Sequence, residues 1–239
     1  MPTYELEQGD MSRRRTPSEL HQWVEDRCEE LASSPEAKAY ARQGSKLVKK
    51  LFDEIRPLAL FAFKAFGNAS GTWVIPNLNN DNFDGTVEFA DGRQLFVEIT
   101  YAKDGHDDSL RMEVLAKEGH VNALAPISYV GTRGSPSRSV SVPNEAVDHD
   151  EIVKKHLEYV ARCLKLKSNV VYGRNHVLVV VVDDYIPFRT AKDVVMLESF
   201  VHKNIPQFAL NFRRVFFLGA SGNLLVEYSS DKSKVSDVL

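Results

Sequence analysis

Residues 177–182 read Val-Leu-Val-Val-Val-Val, with no polar side chain on either alternating face. A strand turns successive side chains to opposite faces, so a half-exposed strand would alternate. This one needs cover on both sides, which points to a sheet sandwiched between helices. Just before it, Val153, Leu157, Val160 and Leu164 recur at helical spacing, predicting a helix over residues 150–167. A helix leading straight into a doubly buried strand reads as a crossover, which makes that strand parallel to an earlier one.

The earlier strands are legible around a turn. Residues 71–76 form a short β run stopped by Pro76. Residues 84–89 and 94–101 flank Ala90-Asp91-Gly92-Arg93, a tight-reversal sequence. On the second arm Phe96, Glu98 and Thr100 share one face, and Leu95, Val97 and Ile99 the other. Upstream, Thr16-Pro17-Ser18-Glu19 matches a capping box with proline at the first helical position, and Ser34-Pro35-Glu36 starts a second helix. A third helix is expected over residues 46–55, with a kink or break at Arg56-Pro57, followed by a buried run over 58–66. Arg13, Arg14 and Arg15 read as a solvated, flexible terminus. Further on, a helix is expected over 107–117, a polar hairpin over 127–143, a helix over 190–202 and a closing hairpin over 215–228. The fold class is thus α/β (α+β mixed sheet). The expected organisation is an N-terminal helical extension (1–45), one α/β domain (46–229) and a flexible tail (230–239).

Composition removes several classes. A net charge of −3 gives no global attraction to nucleic acid, so DNA binding would need a local basic patch. Cys28 and Cys163 are the only cysteines, which supports neither a disulfide framework nor a cysteine zinc site and makes a cytoplasmic location the default. Cys163 lies beside the helical stripe and reads as packing. No segment approaches the roughly 20 apolar residues of a membrane span. The seven histidines show no metal-ligand spacing, and His149-Asp150 reads as a helix cap.

What remains is a pair of carboxylates. Asp84 opens one strand and Glu98 lies within the next, so neighbouring strands deliver two hard oxygen ligands suited to a divalent cation. Each has a plainer reading. Asp84 in Asn82-Phe83-Asp84-Gly85 could bond its own backbone in a turn. Glu98 in an apolar strand could be exposed at an edge or paired with an arginine such as Arg111, avoiding a desolvation cost of several kcal/mol. Arg133 and Arg138, in a loop of serines and a threonine without acids, suit phosphate contacts or a mobile polar loop.

Asp84, thirteen intervening residues and Glu98-Ile99-Thr100, in an α-β-β-β-α-β order over roughly residues 46–185, resemble the core of the PD-(D/E)XK, or restriction-endonuclease-like, superfamily. The resemblance implies a nuclease that hydrolyses DNA with Mg²⁺ or Mn²⁺. Asp84 and Glu98 would bind the metal, Ile99 would add its carbonyl, and Glu54 would be an additional helical acid. Thr100 stands where the family carries a lysine, so a lysine from elsewhere would be required. Lys167 continues the 153–164 stripe and is the first choice, ahead of Lys103 and Lys165; it also fits a helix-end lysine lying along the surface. The expected partners are DNA and, as an open alternative, a second copy of the chain. A chain that keeps the fold without the chemistry would be a nucleic-acid or protein binding module. A third reading makes both acids structural in an α/β interaction protein.

Overall fold

A computed structural model describes residues 4–67, 69–79, 81–122, 127–131, 139–142, 147–208 and 210–228. Its helices are α1 (Gln8–Met11), α2 (Pro17–Ala32), α3 (Pro35–Arg42), α4 (Lys46–Lys50), α5 (Arg56–Phe66), α6 (Gly105–Glu118), α7 (His149–Lys167) and α8 (Ala191–Asn204). Six strands, β1 (Thr72–Pro76), β2 (Gly85–Phe89), β3 (Gln94–Tyr101), β6 (His176–Val182), β7 (Arg214–Gly219) and β8 (Leu225–Tyr228), form one mixed sheet in the order β1-β2-β3-β6-β7-β8. The short β4 (Ser128–Val130) and β5 (Ser139–Ser141) pair only with each other.

The sheet is antiparallel from β1 to β3, parallel through β3, β6 and β7, and antiparallel again at β8. As residues 177–182 required, β6 is central and buried along its whole length. Val177, Val179 and Val181 join a core that includes α2, α5 and β1–β3. Leu178, Val180 and Val182 join a second core under α7 and α8. The crossover through α7 makes β6 parallel to β3, pairing Glu98 with Leu178.

Three expectations are corrected. The arginine run is not a free tail: Arg15 is buried, exchanges two backbone hydrogen bonds with Val74, and pairs with Asp10 at 2.5 Å. Arg14 lies 4.0 Å over the Trp73 ring and bonds Glu88 at 3.0 Å. Val74, Trp73 and Glu88 are too far along the chain for local pattern to reveal the docking. At Arg56-Pro57 the helical path continues instead of breaking. A π-helical turn, Leu51–Ile55, joins α4 to α5, and the Arg56 amide bonds the Leu51 carbonyl five residues back. The cap of α7 is Asp148, whose carboxylate accepts from the amides of Asp150 and Glu151; His149 instead reaches the buried Asp193 at 3.0 Å.

Among the described residues, no helix is long and apolar enough to cross a membrane.

Candidate functional site

Asp84 sits one residue before β2, where that strand stops covering the edge of β3. Its amide donates to the Val97 carbonyl at 2.8 Å, the last ladder bond of the pair. Its Oδ2 then accepts from the Ile99 amide at 2.7 Å, replacing the strand that has ended. The bond is to another strand, so the self-bonded turn aspartate is ruled out. A strand residue points its N–H and C=O to the same side, so the Ile99 carbonyl also faces the space β2 vacates. Gly85 makes the place possible: a Cβ there would meet Leu58 Cδ2 at 2.3 Å, so α5 can lie directly on the start of β2.

Glu98 lies on the β3 face turned toward α7, and its side chain is 11% exposed. Its partner is Lys167, from the last turn of α7, whose Nζ donates to Glu98 Oε1. Arg111 is not the partner; its Nη1 donates to the Asn122 carbonyl at 2.7 Å. Lys103 is engaged by Asp108 at 2.8 Å, and Lys165 is exposed. The three-residue extension of the α7 stripe therefore leads to the lysine that pairs with Glu98. Tyr172 is near the same group: burial raises its pKa most, the Glu98 charge adds to the rise, and Lys167 opposes it.

The charges in this group act on one another. Burial pushes the Asp84 carboxyl up, and the negative charges of Glu98 and Glu54 add to that. The Ile99 amide and Lys167 oppose them, and the balance is a pKa of about 7. For Lys167, burial disfavours charge, but the hydrogen bond and charge of Glu98 outweigh it, so its pKa is raised and it is an ammonium at neutral pH.

Glu54 is brought into range by the π turn. A π turn would ask Pro57 to donate to the Phe52 carbonyl, and proline has no N–H. The Tyr101 hydroxyl, at the end of β3, supplies that bond at 2.9 Å. The turn is thereby tied to the strand that carries Glu98, and burial raises the Tyr101 pKa. Glu54 Oε2 meets Lys50 at 2.6 Å, and Lys50 is itself buried. An i,i+4 Lys-Glu pair was readable in the sequence; Tyr101 and Tyr172 carried no local signal.

On the approach to Glu98 lies an aromatic group. Phe83 and Phe96 stand 4.8 Å apart between ring centroids, and His176 lies 5.0 Å from Phe96 and 5.6 Å from Tyr172. Cys163 is buried and its thiol is pushed up to about 12, as packing requires. Arg133 and Arg138 lie outside the described residues.

The donors fit a hard divalent cation. The Asp84 carboxylate and the Ile99 carbonyl lie on the same edge of β3, and Glu98 is near enough to add to the rise in the Asp84 pKa that burial chiefly causes. Among the described residues no group of three or more acid, histidine or cysteine side chains is placed to hold a metal, so backbone oxygen and water would complete the shell. Comparisons with protein-family models, with curated proteins and with solved structures give no match.

Proposed function

We propose that this chain is a metal-dependent nuclease with a restriction-endonuclease-like core, hydrolysing DNA phosphodiester bonds at Asp84, Glu98 and Lys167. The observation that carries the reading is the convergence of Lys167 on Glu98. The lysine missing at Thr100 is supplied from α7, on the sheet face that bears the acid. The order of elements from α5 to β6, with β3 parallel to β6, supports the same reading.

In this mechanism Asp84, Glu98 and the Ile99 carbonyl would hold Mg²⁺ or Mn²⁺, and Glu54 adds negative charge near Asp84. When bound, the cation would supply Lewis acidity, favouring a deprotonated water and offsetting phosphoryl charge. Lys167, kept charged by Glu98, orients the attacking water and places positive charge beside the developing oxyanion. The Ile99 amide fixes the Asp84 rotamer. Glu98→Ala abolishes Mg²⁺-dependent cleavage in this account. Absence of cleavage by the wild type with Mg²⁺ or Mn²⁺, over duplex and single-stranded DNA, would sink it.

A second reading is favoured by one observation: Lys167 already neutralises Glu98, and Thr100 carries no charge. That arrangement also suits a fold that has lost the chemistry and serves as a nucleic-acid or protein binding module. DNA affinity with no cleavage, unchanged by Glu98→Gln, would select this alternative.

A further inference from the structure

The edge where the parallel strands begin carries two adjoining cavities. One, of about 230 Å³, is walled by Phe61, Phe66, Phe216 and Val177, with Lys64 and Arg213 at its rim. The other, of about 220 Å³, is lined by Arg93, Phe96, Asn175 and Arg213. Leu95 and Arg213 line both, so the two adjoin at these residues. Leu95 and Phe96 point to opposite faces of β3. The groove therefore passes over the strand edge from the α5 side to the face that bears Phe96 and Glu98.

The groove's charge is one-sided. Arg214 is tied to Glu227 at 3.2 Å and Arg93 to Asp91 at 2.5 Å. Lys64 and Arg213 are exposed, and among the described residues no acid pairs with them. The Arg213 backbone is fixed by its amide bond to the His176 carbonyl at 2.9 Å. An apolar cavity of this size, opening onto the Arg213 and Lys64 cations, matches an anion with an aromatic ring. Its volume admits about one nucleobase with part of its sugar, and a base stacked inside a duplex cannot enter it.

We propose that this groove binds an unpaired nucleic-acid strand, with one base in the Phe61–Phe66–Phe216 slot and backbone phosphates on Arg213 and Lys64. The strand continues past Asn175 and Phe96 toward Glu98. The inference rests on the nuclease reading, and it narrows the substrate to DNA with a single-stranded segment. Stacking on aromatic rings and salt-dependent phosphate contacts are the general means of holding such strands. The local cations also explain how a chain of net charge −3 attracts a polyanion.

Binding is tested separately from cleavage, by fluorescence anisotropy of labelled oligothymidylate in EDTA at several salt concentrations. The wild type binds it more tightly than a duplex. Arg213→Glu weakens binding by about tenfold at low salt and lowers the magnitude of the log–log salt slope by about 1 or more. Ala65→Leu, which fills the slot from its wall, weakens binding by about fivefold with the slope unchanged. Thermal melting checks both folds, and the exposed Arg213 decides alone if Ala65→Leu melts early. Unchanged affinity in Arg213→Glu, equal or tighter duplex binding, or saturation of the slot by octanoate with no oligothymidylate binding overturns the proposal. Strand binding through Arg213 without any cleavage by the wild type leaves this site standing and removes the nuclease reading. Cleavage untouched by Arg213→Glu does the reverse.

Discussion

Asp84 joins structure to chemistry in a single side chain. Its carboxylate closes the β3 edge through the Ile99 amide, while burial and two neighbouring acids hold its pKa at about 7. Between the ordinary carboxylate range and pH 7 the folded chain therefore binds a proton that the unfolded chain has lost. Stability falls as pH rises through that window. Asp84→Asn, which keeps an acceptor for Ile99, is expected to flatten this fall and to add roughly 1–2 kcal/mol at pH 8 after allowance for solvent screening; urea melts from pH 4 to 8 measure it. A cation must displace the same proton. Metal affinity is thus expected to climb between pH 6 and 8, with proton release visible by calorimetry in two buffers of different ionisation enthalpy. A pH-independent affinity would remove Asp84 from the ligand set.

The elements show where local sequence is informative and where it is silent. Residues 177–182, the capping box at Thr16 and the Asp91-Gly92 turn declared themselves, because periodicity, caps and tight turns are short-range. Lys167 was legible for the same reason, as the next step of a helical stripe. The π turn was not. It depends on a tyrosine 49 residues away that satisfies a carbonyl Pro57 cannot serve. Tyr101→Phe leaves the Phe52 carbonyl to water and is expected to cost about 1 kcal/mol in a denaturant melt. It should also lower cleavage, because Glu54 is carried on that turn. Gly219 is a second such contact: a Cβ there would meet Asp184 Oδ2 at 2.1 Å, and that carboxylate accepts from the Ser221 amide at 2.8 Å. Gly219→Ala is expected to destabilise by roughly 1–3 kcal/mol.

At the scale of the molecule, the N-terminal segment is part of the core that supports the acids. Leu6, Met11, Leu20 and Val24 are buried with Val74, Val87 and Val97, and Arg15 adds a bridge outside β1. The sequence did not foretell this, since an arginine run gains meaning only from the Asp10, Trp73 and Glu88 it meets. Arg15→Ala leaves Asp10 without its guanidinium and uncovers the Trp23 ring, over which Arg15 lies at 4.5 Å. A loss of about 1–3 kcal/mol is expected, read as a lower melting temperature, with cleavage per folded molecule unchanged.

Under the proposed function, Lys167 supplies the charge that Thr100 lacks. This role is tested most directly by comparing wild type and Lys167→Met for cleavage of DNA bearing a single-stranded segment, in Mg²⁺ and in Mn²⁺, with metal affinity measured in parallel. The expected result is cleavage by the wild type and a loss of about a hundredfold or more in the variant, with metal still bound. Equal cleavage rates in the two proteins would contradict it.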